Sequence, residues 1–118
     1  MTTCSLRMNK QPLTVDDCIR EALAEVDLLM QAAFEKVGGV APPGSALDQN
    51  GLVDGHGRVT ELINVGEPGL ALEHLIYMVD EPSLAISQRA YVCIEFAGNA
   101  MSMDKRLWEC IRPPGRRS

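Results

Sequence analysis

The stretch from Glu61 to Asp80 constrains the fold most, because it is an apolar segment that stops at Gly66 and restarts at Pro68. After the restart, apolar residues recur at the three- and four-residue spacing of one helix face: Leu72, Leu75, Ile76 and Val79. Proline suits the first turn of a helix, where its missing N–H has no intrahelical partner. The stretch therefore predicts a helix from Pro68 to about Asp80 with one core face and one acidic face, on which the rest of the chain packs.

The most regular helical pattern lies before this stretch. Thr14 is a typical N-cap residue, and apolar residues keep a period of about 3.6 as far as Val37. Gly38 and Gly39 then permit a left-handed cap, so a long first helix is predicted. Shorter helices are predicted over three further segments: Arg58 to about Val65, Gln88 to about Ala100 behind the N-cap Ser87, and Asp104 to Ile111 behind Ser102.

Composition supports an all-α fold in one domain. The chain has 118 residues, of which 46% are hydrophobic but only five are aromatic, so its core is aliphatic and suits helices better than a β-sandwich. The segment from Gln88 to Ala100 is apolar on nearly every side, which is typical of a helix in the middle of a bundle. We predict a single compact bundle of four to five helices over residues 1–118, with a long first helix, a central apolar fourth helix and flexible ends at 1–13 and 112–118.

Charge is distributed unevenly along the chain. The formal net charge is −5, yet the body from Thr14 to Asp104 holds 15 acidic residues and 4 basic ones, and both ends are basic. A body this negative repels phosphate backbones and attracts basic surfaces. We therefore expect a basic protein as partner and neither nucleic acid nor a membrane. Acidity that only keeps a small protein soluble is the alternative interpretation.

The sequence contains no recognisable catalytic signature. It lacks the GxGxxG, GxxxxGK[ST], HExxH and GxSxG patterns. His56 and His74 lie in different segments, with no further His or Cys spaced to complete a tetrahedral metal site. A calcium loop opening at Asp48 would end on Val59, where a bidentate glutamate is needed. We expect no enzymatic activity, no metal and no cofactor; the competing hypothesis is a small-ligand site or enzyme that uses Glu73, His74 and Tyr77.

Cysteine usage and hydropathy bear on the compartment. The four cysteines form no CxxC pair, the N-terminus lacks the apolar region of a secretory signal, and the apolar runs fall far short of the roughly 20 residues that span a bilayer. These features predict a reduced, cytoplasmic protein. Cys93 is expected to be an inert core thiol, and Cys110, close to Lys105 and Arg106, a more reactive one.

The segment from Glu61 to Ile111 resembles small bacterial immunity proteins of the Maf and contact-dependent growth inhibition type. The resemblance covers less than half of the chain. It rests on an apolar pair before Gly66, a connector and a Ser-capped helix, together with these residues: Glu67, Gly69, Ala71, Leu72, Glu73, Leu75, Asp80, Glu81, Leu107 and Trp108. It implies an all-α cytoplasmic protein that binds and neutralises one cognate secreted toxin, often a nuclease with a basic active site.

Partner-binding residues are expected among the acids of the central loop and of the second and third helices. Tyr77, expected to be exposed, would supply an aromatic anchor beside these charges. The full predicted set is Asp48, Asp54, Glu61, Glu67, Glu73, Tyr77, Asp80 and Glu81. Two other functional classes remain open: a helical regulatory or scaffold protein that acts through oligomerisation, with a homodimer as its simplest form, and a small-ligand-binding helical domain.

Overall fold

A computed structural model of the chain describes residues 14–40, 42–45, 52 and 54–113. These residues form α-helices and connecting turns, and no strand occurs among them. In chain order the helices are α1 (Val15–Lys36), α2 (Gly55–Asn64), α3 (Pro68–Asp80), α4 (Gln88–Ala100) and α5 (Arg106–Glu109). The predicted all-α bundle with a long first helix is confirmed.

Residues at the first turn explain why three helices begin where the sequence predicts. Thr14 accepts from the backbone N–H of Asp17, whose carboxylate accepts in return from the Thr14 N–H, so α1 starts with a complete capping box. Ser87 caps α4 by accepting from the Ala90 N–H at 3.1 Å. Pro68 occupies the first turn of α3. These starts depend only on residues close in sequence, which is why the sequence predicts them correctly.

Two other helix starts differ from the prediction. α2 begins at Gly55 rather than at about Arg58, and Gly55 packs directly against Met78 of α3, where a Cβ would lie 2.6 Å from that side chain. α5 is shorter than predicted, and Ser102 does not cap it. Ser102 instead has a φ of 58° and follows the end of α4, while the Asp104 carboxylate accepts from the Arg106 N–H at 2.9 Å.

The helix that contacts each of the other four is α3. Its predicted core positions are all buried: Leu72, Leu75, Ile76 and Val79. α1 packs on α3 from one side and runs antiparallel to α4, because Glu25 accepts hydrogen bonds from both the N–H and the hydroxyl of Ser87 at 2.6 Å, and Glu21 pairs with Arg89 farther along. Within the Glu61–Asp80 stretch, α3 is therefore the part on which the other helices pack.

α4 contributes to the core on its inner side only. It packs along α1 and also contacts α3, and its buried residues include Tyr91, Cys93 and Ile94. On its outer side Val92 and Phe96 are each 47% exposed, although both were expected to lie inside. Because the segment is apolar on nearly every side, the sequence predicts more burial than the structure has. A helix that packs on two neighbours still has one side exposed to solvent. No helix in the described part of the chain is long and apolar enough to cross a membrane.

Candidate interaction surface

α2 and α3 form a helical hairpin. The chain reverses at Gly66, which has a φ of 82°, and the Glu67 N–H donates to the carbonyl of Leu62 at 2.8 Å to close the turn. The two helices run antiparallel, because Gly55 at the start of α2 lies against Met78 near the end of α3. Their outer sides therefore face solvent next to each other over the length of the hairpin.

A groove of about 300 Å³ runs between the two helices, and we call it the α2–α3 groove. Its lining consists of Arg58, Leu62, Leu70, Glu73, His74 and Tyr77. On the α3 wall, the spacing from Leu70 to Glu73 and His74 and then to Tyr77 follows helical turns, so these residues share the face opposite the core stripe. The groove is consequently built from the face of α3 that does not pack against α1 and α4.

Tyr77 stands at the centre of this surface. Its side chain is half-buried and packs against the core, so it is less exposed than the sequence predicts. The cause is the neighbouring α2, whose Arg58 and Leu62 line the groove beside it. The ring centroids of Tyr77 and His74 are 5.6 Å apart, with an angle of 40° between the ring planes. The tyrosine is therefore held by its neighbours while part of it still lines the groove.

Most of the predicted carboxylates surround this groove. Glu73 lines it directly, and Asp80 and Glu81 follow about two turns later, at the end of α3. The remaining exposed acids lie nearby on the hairpin: Asp54 at the start of α2, Glu61 on α2 and Glu67 at the turn. We call these six carboxylates the acidic rim. Asp48, the remaining predicted acid, lies outside the described residues.

The structure adds three residues to the sequence-based set. Arg58, Leu62 and Leu70 line the groove but were not predicted to bind a partner. Leu62 is partly buried against the core and also lines the groove, and Val65 is 64% exposed at the end of α2. The sequence does contain a signal for Leu70. It lies outside the apolar stripe of α3, and a leucine there does not serve the core, which indicates a contact surface. The groove therefore has apolar walls as well as acidic edges.

The same surface bears on the alternative of a catalytic or ligand site. Glu73, His74 and Tyr77 do line one groove together, but that groove is open to solvent along the hairpin and is not an enclosed cavity. Among the described residues, no group of three or more His, Cys, Asp or Glu side chains could hold a metal ion. The arrangement suits contact with a protein better than enclosure of a small molecule.

A smaller hollow of about 140 Å³ lies at the end of α3, where Asp80 and Cys110 are among its lining residues. Burial, followed by the neighbouring Asp80 carboxylate, raises the pKa of Cys110. A raised pKa argues against the more reactive thiol expected from the nearby Lys105 and Arg106, and Arg106 pairs with Asp104.

Comparisons of this chain with protein-family models, curated proteins and solved structures find no match.

Proposed function

We propose that this chain is an immunity protein that binds a cognate secreted or contact-dependent toxin domain and neutralises it. The toxin is a nuclease acting on tRNA, other RNA or DNA, and the immunity protein covers its basic substrate site. The observation that supports this most directly is the acidic rim around the α2–α3 groove, because six exposed carboxylates and a half-buried tyrosine belong to one helical hairpin.

Electrostatics explains how such a surface neutralises a nuclease. A nuclease site must attract phosphates, so its surface carries positive charge, and fixed carboxylates can use the same field. Long-range attraction accelerates the encounter, although charges at an interface edge add little affinity of their own. The tyrosine and leucines of the groove supply the desolvated contact area that slows dissociation.

The same charges exclude other partners from this proposal. The acidic body repels the phosphates of nucleic acids and of anionic membrane surfaces, so the partner is a protein. The resemblance to Maf-type and contact-dependent growth inhibition immunity proteins implies that this encounter occurs in the cytoplasm and that it requires neither a cofactor nor catalysis by the immunity protein.

A coexpression experiment tests the proposal. The product of the adjacent open reading frame is expressed with and without this chain, and growth and RNA integrity are followed. We expect growth arrest and nucleic-acid damage without the chain and protection with it. A neighbour that is harmless alone, or that stays toxic when this chain is present, would contradict the proposal.

Matched variants locate the protective surface. Glu73→Gln combined with Glu81→Gln removes two charges from the acidic rim, whereas Asp16→Asn combined with Glu35→Gln removes two exposed charges from α1. Both pairs change the net charge equally, so only their location differs. We expect the first pair to weaken protection and the second to preserve it.

A helical regulatory or scaffold protein that oligomerises is the second candidate. The observation that favours it is the exposure of Val92 and Phe96, one helical turn apart on the outer side of α4. Mass measurement in solution separates the two functions. A stable homodimer that dissociates on Phe96→Asp would support the scaffold function, and a monomer would count against it.

A further inference from the structure

We infer that the α2–α3 groove takes an amphipathic helix of the partner, with apolar anchors against Leu62 and Leu70 and with cationic residues at the Asp80–Glu81 end. This inference rests on the proposed function, because it presumes a protein partner for the groove. It goes further by specifying the secondary structure, the chemistry and the direction of the segment that binds.

The helical form follows from the walls of the groove. Both walls are helices, and Leu70 and Tyr77 are two turns apart on one of them, a rise of about 10 Å. A third helix laid in the groove presents side chains with the same rise, so two anchors spaced by seven residues meet both positions. A β-strand of the partner could not bind by extending a sheet, since no sheet edge exists in the described part of the chain.

The direction follows from a gradient of polarity along the hairpin. At the end where the chain turns, Leu62 lies near Leu70, which is 50% exposed, and near Val65, which is 64% exposed. Exposed carboxylates occur at both ends, Glu61 and Glu67 towards the turn and Asp54, Asp80 and Glu81 at the other end, but among the described residues of the hairpin the exposed large apolar side chains occur only at the turn. An occupant therefore gains apolar burial at the first end and charge pairing at the second.

Charge also identifies the occupant as a different protein. A second copy of this chain would have to supply a basic amphipathic helix, but α1 and α3 are acidic, and α2 and α4 each carry one arginine against one glutamate, so none of these helices has a net positive charge. α5 has only four residues and is too short to fill the groove. Self-association here would bring like charges together, whereas a basic helix is attracted.

The test uses the full chain labelled with nitrogen-15 and a synthetic helical peptide. The peptide carries a leucine stripe at three- and four-residue spacing and lysines clustered at one end, with alanine and glutamine elsewhere. Two control peptides keep its length: one scrambles the sequence so that the stripe is lost, and one replaces each lysine with glutamate. We expect amide shifts from the first peptide at Leu62, Leu70, Glu73 and Tyr77, and weaker binding or none from the controls.

A spin label on the peptide then measures its direction. A label at the lysine end should broaden the amides of Asp80 and Glu81, and a label at the leucine end those of Leu62 and Val65. The opposite pattern, or equal broadening at both ends, would overturn the inferred direction. Equal binding of the scrambled peptide would overturn the inferred helix.

Matched leucine variants complete the test. Leu70→Ala should weaken binding about tenfold, because a contact worth roughly 1.4 kcal/mol is lost. Leu28→Ala, at a leucine of α1 that is 67% exposed and outside the groove, should leave affinity unchanged. If Leu70→Ala abolishes peptide binding but still protects cells fully from the toxin, the inference fails and the proposed function stands. If the unaltered chain never protects cells, the proposed function fails whatever the peptide does.

Discussion

At the scale of single residues, two glycines in helices differ in what surrounds them. A Cβ on Gly98 would lie 2.1 Å from the ring of Trp108, which is 1% exposed, so the absence of a side chain on α4 is what admits the indole. A Cβ on Gly69 would meet nothing within 4 Å. The first glycine is required by packing, and the second is a helix residue with no such requirement.

Gly98→Ala is therefore expected to destabilise the chain by at least about 1 kcal/mol, because the cost of overpacking exceeds the gain in helix propensity. Gly69→Ala should be neutral or stabilise by up to about 1 kcal/mol. Urea unfolding followed by circular dichroism measures both. Equal stability of the two variants would contradict the close packing of Trp108 on α4.

The buried thiol of Cys93 should give stability a dependence on alkaline pH. Burial, with the Glu21 carboxylate as the next cause, raises the pKa of Cys93 from 9.0 to about 11. The folded chain thus favours the neutral thiol, so this stabilisation is complete below pH 9.0 and is lost as the pH rises towards 11. Cys93→Ala should make the fall in unfolding free energy between these pH values shallower, and an unchanged slope would show that another group controls it.

At the scale of the element, the sequence predicts a helix start correctly where that start depends on nearby residues. The starts of α1, α3 and α4 depend on Thr14, Pro68 and Ser87, each acting on its own first turn, and the sequence predicts all three correctly. The start of α2 has no side-chain cap and lies against Met78, a residue of another helix, and the sequence places it about three residues too late. Burial of Tyr77 and exposure of Val65 likewise depend on how the hairpin packs, which periodicity does not reveal.

Ser87 joins two elements, so its removal should cost more than the loss of an ordinary cap. Its hydroxyl accepts from the Ala90 N–H and donates to Glu25 of α1. Ser87→Ala should destabilise by about 2 kcal/mol, whereas Thr14→Ala, which removes a cap alone, should cost about 1 kcal/mol. Thermal or urea unfolding measures the difference.

A double-mutant cycle with Glu25→Gln provides the control for Ser87. If the bond between α1 and α4 matters, the two changes together cost less than the sum of the separate changes. Additive effects would mean that Ser87 acts only as a cap of α4.

At the scale of the whole molecule, the sequence predicts the kind of surface but not its assembly. The excess of acids between Thr14 and Asp104 is visible from composition, and the acidic face of α3 from periodicity. The position of α2 beside α3 is a tertiary fact, and it determines that Leu62 and Arg58 face Tyr77 across a groove. For this reason the acids were predicted as binding residues and the apolar wall was missed.

The acidic rim and the groove should act on different rate constants of association with the cognate toxin. Exposed charges act at a distance during the encounter and are screened by salt, whereas the half-buried Tyr77 contributes only after contact. Glu73→Gln with Glu81→Gln should thus lower the association rate constant severalfold at low salt and reduce its salt dependence, with little change in dissociation. Tyr77→Ala should instead raise the dissociation rate constant, by about thirtyfold if its truncation costs roughly 2 kcal/mol.

Surface plasmon resonance at two salt concentrations measures both rate constants, with Asp16→Asn/Glu35→Gln as the charge control. If the rim charges changed dissociation as much as Tyr77→Ala does, they would belong to the desolvated centre of the interface, and the assignment of Tyr77 as its anchor would be wrong.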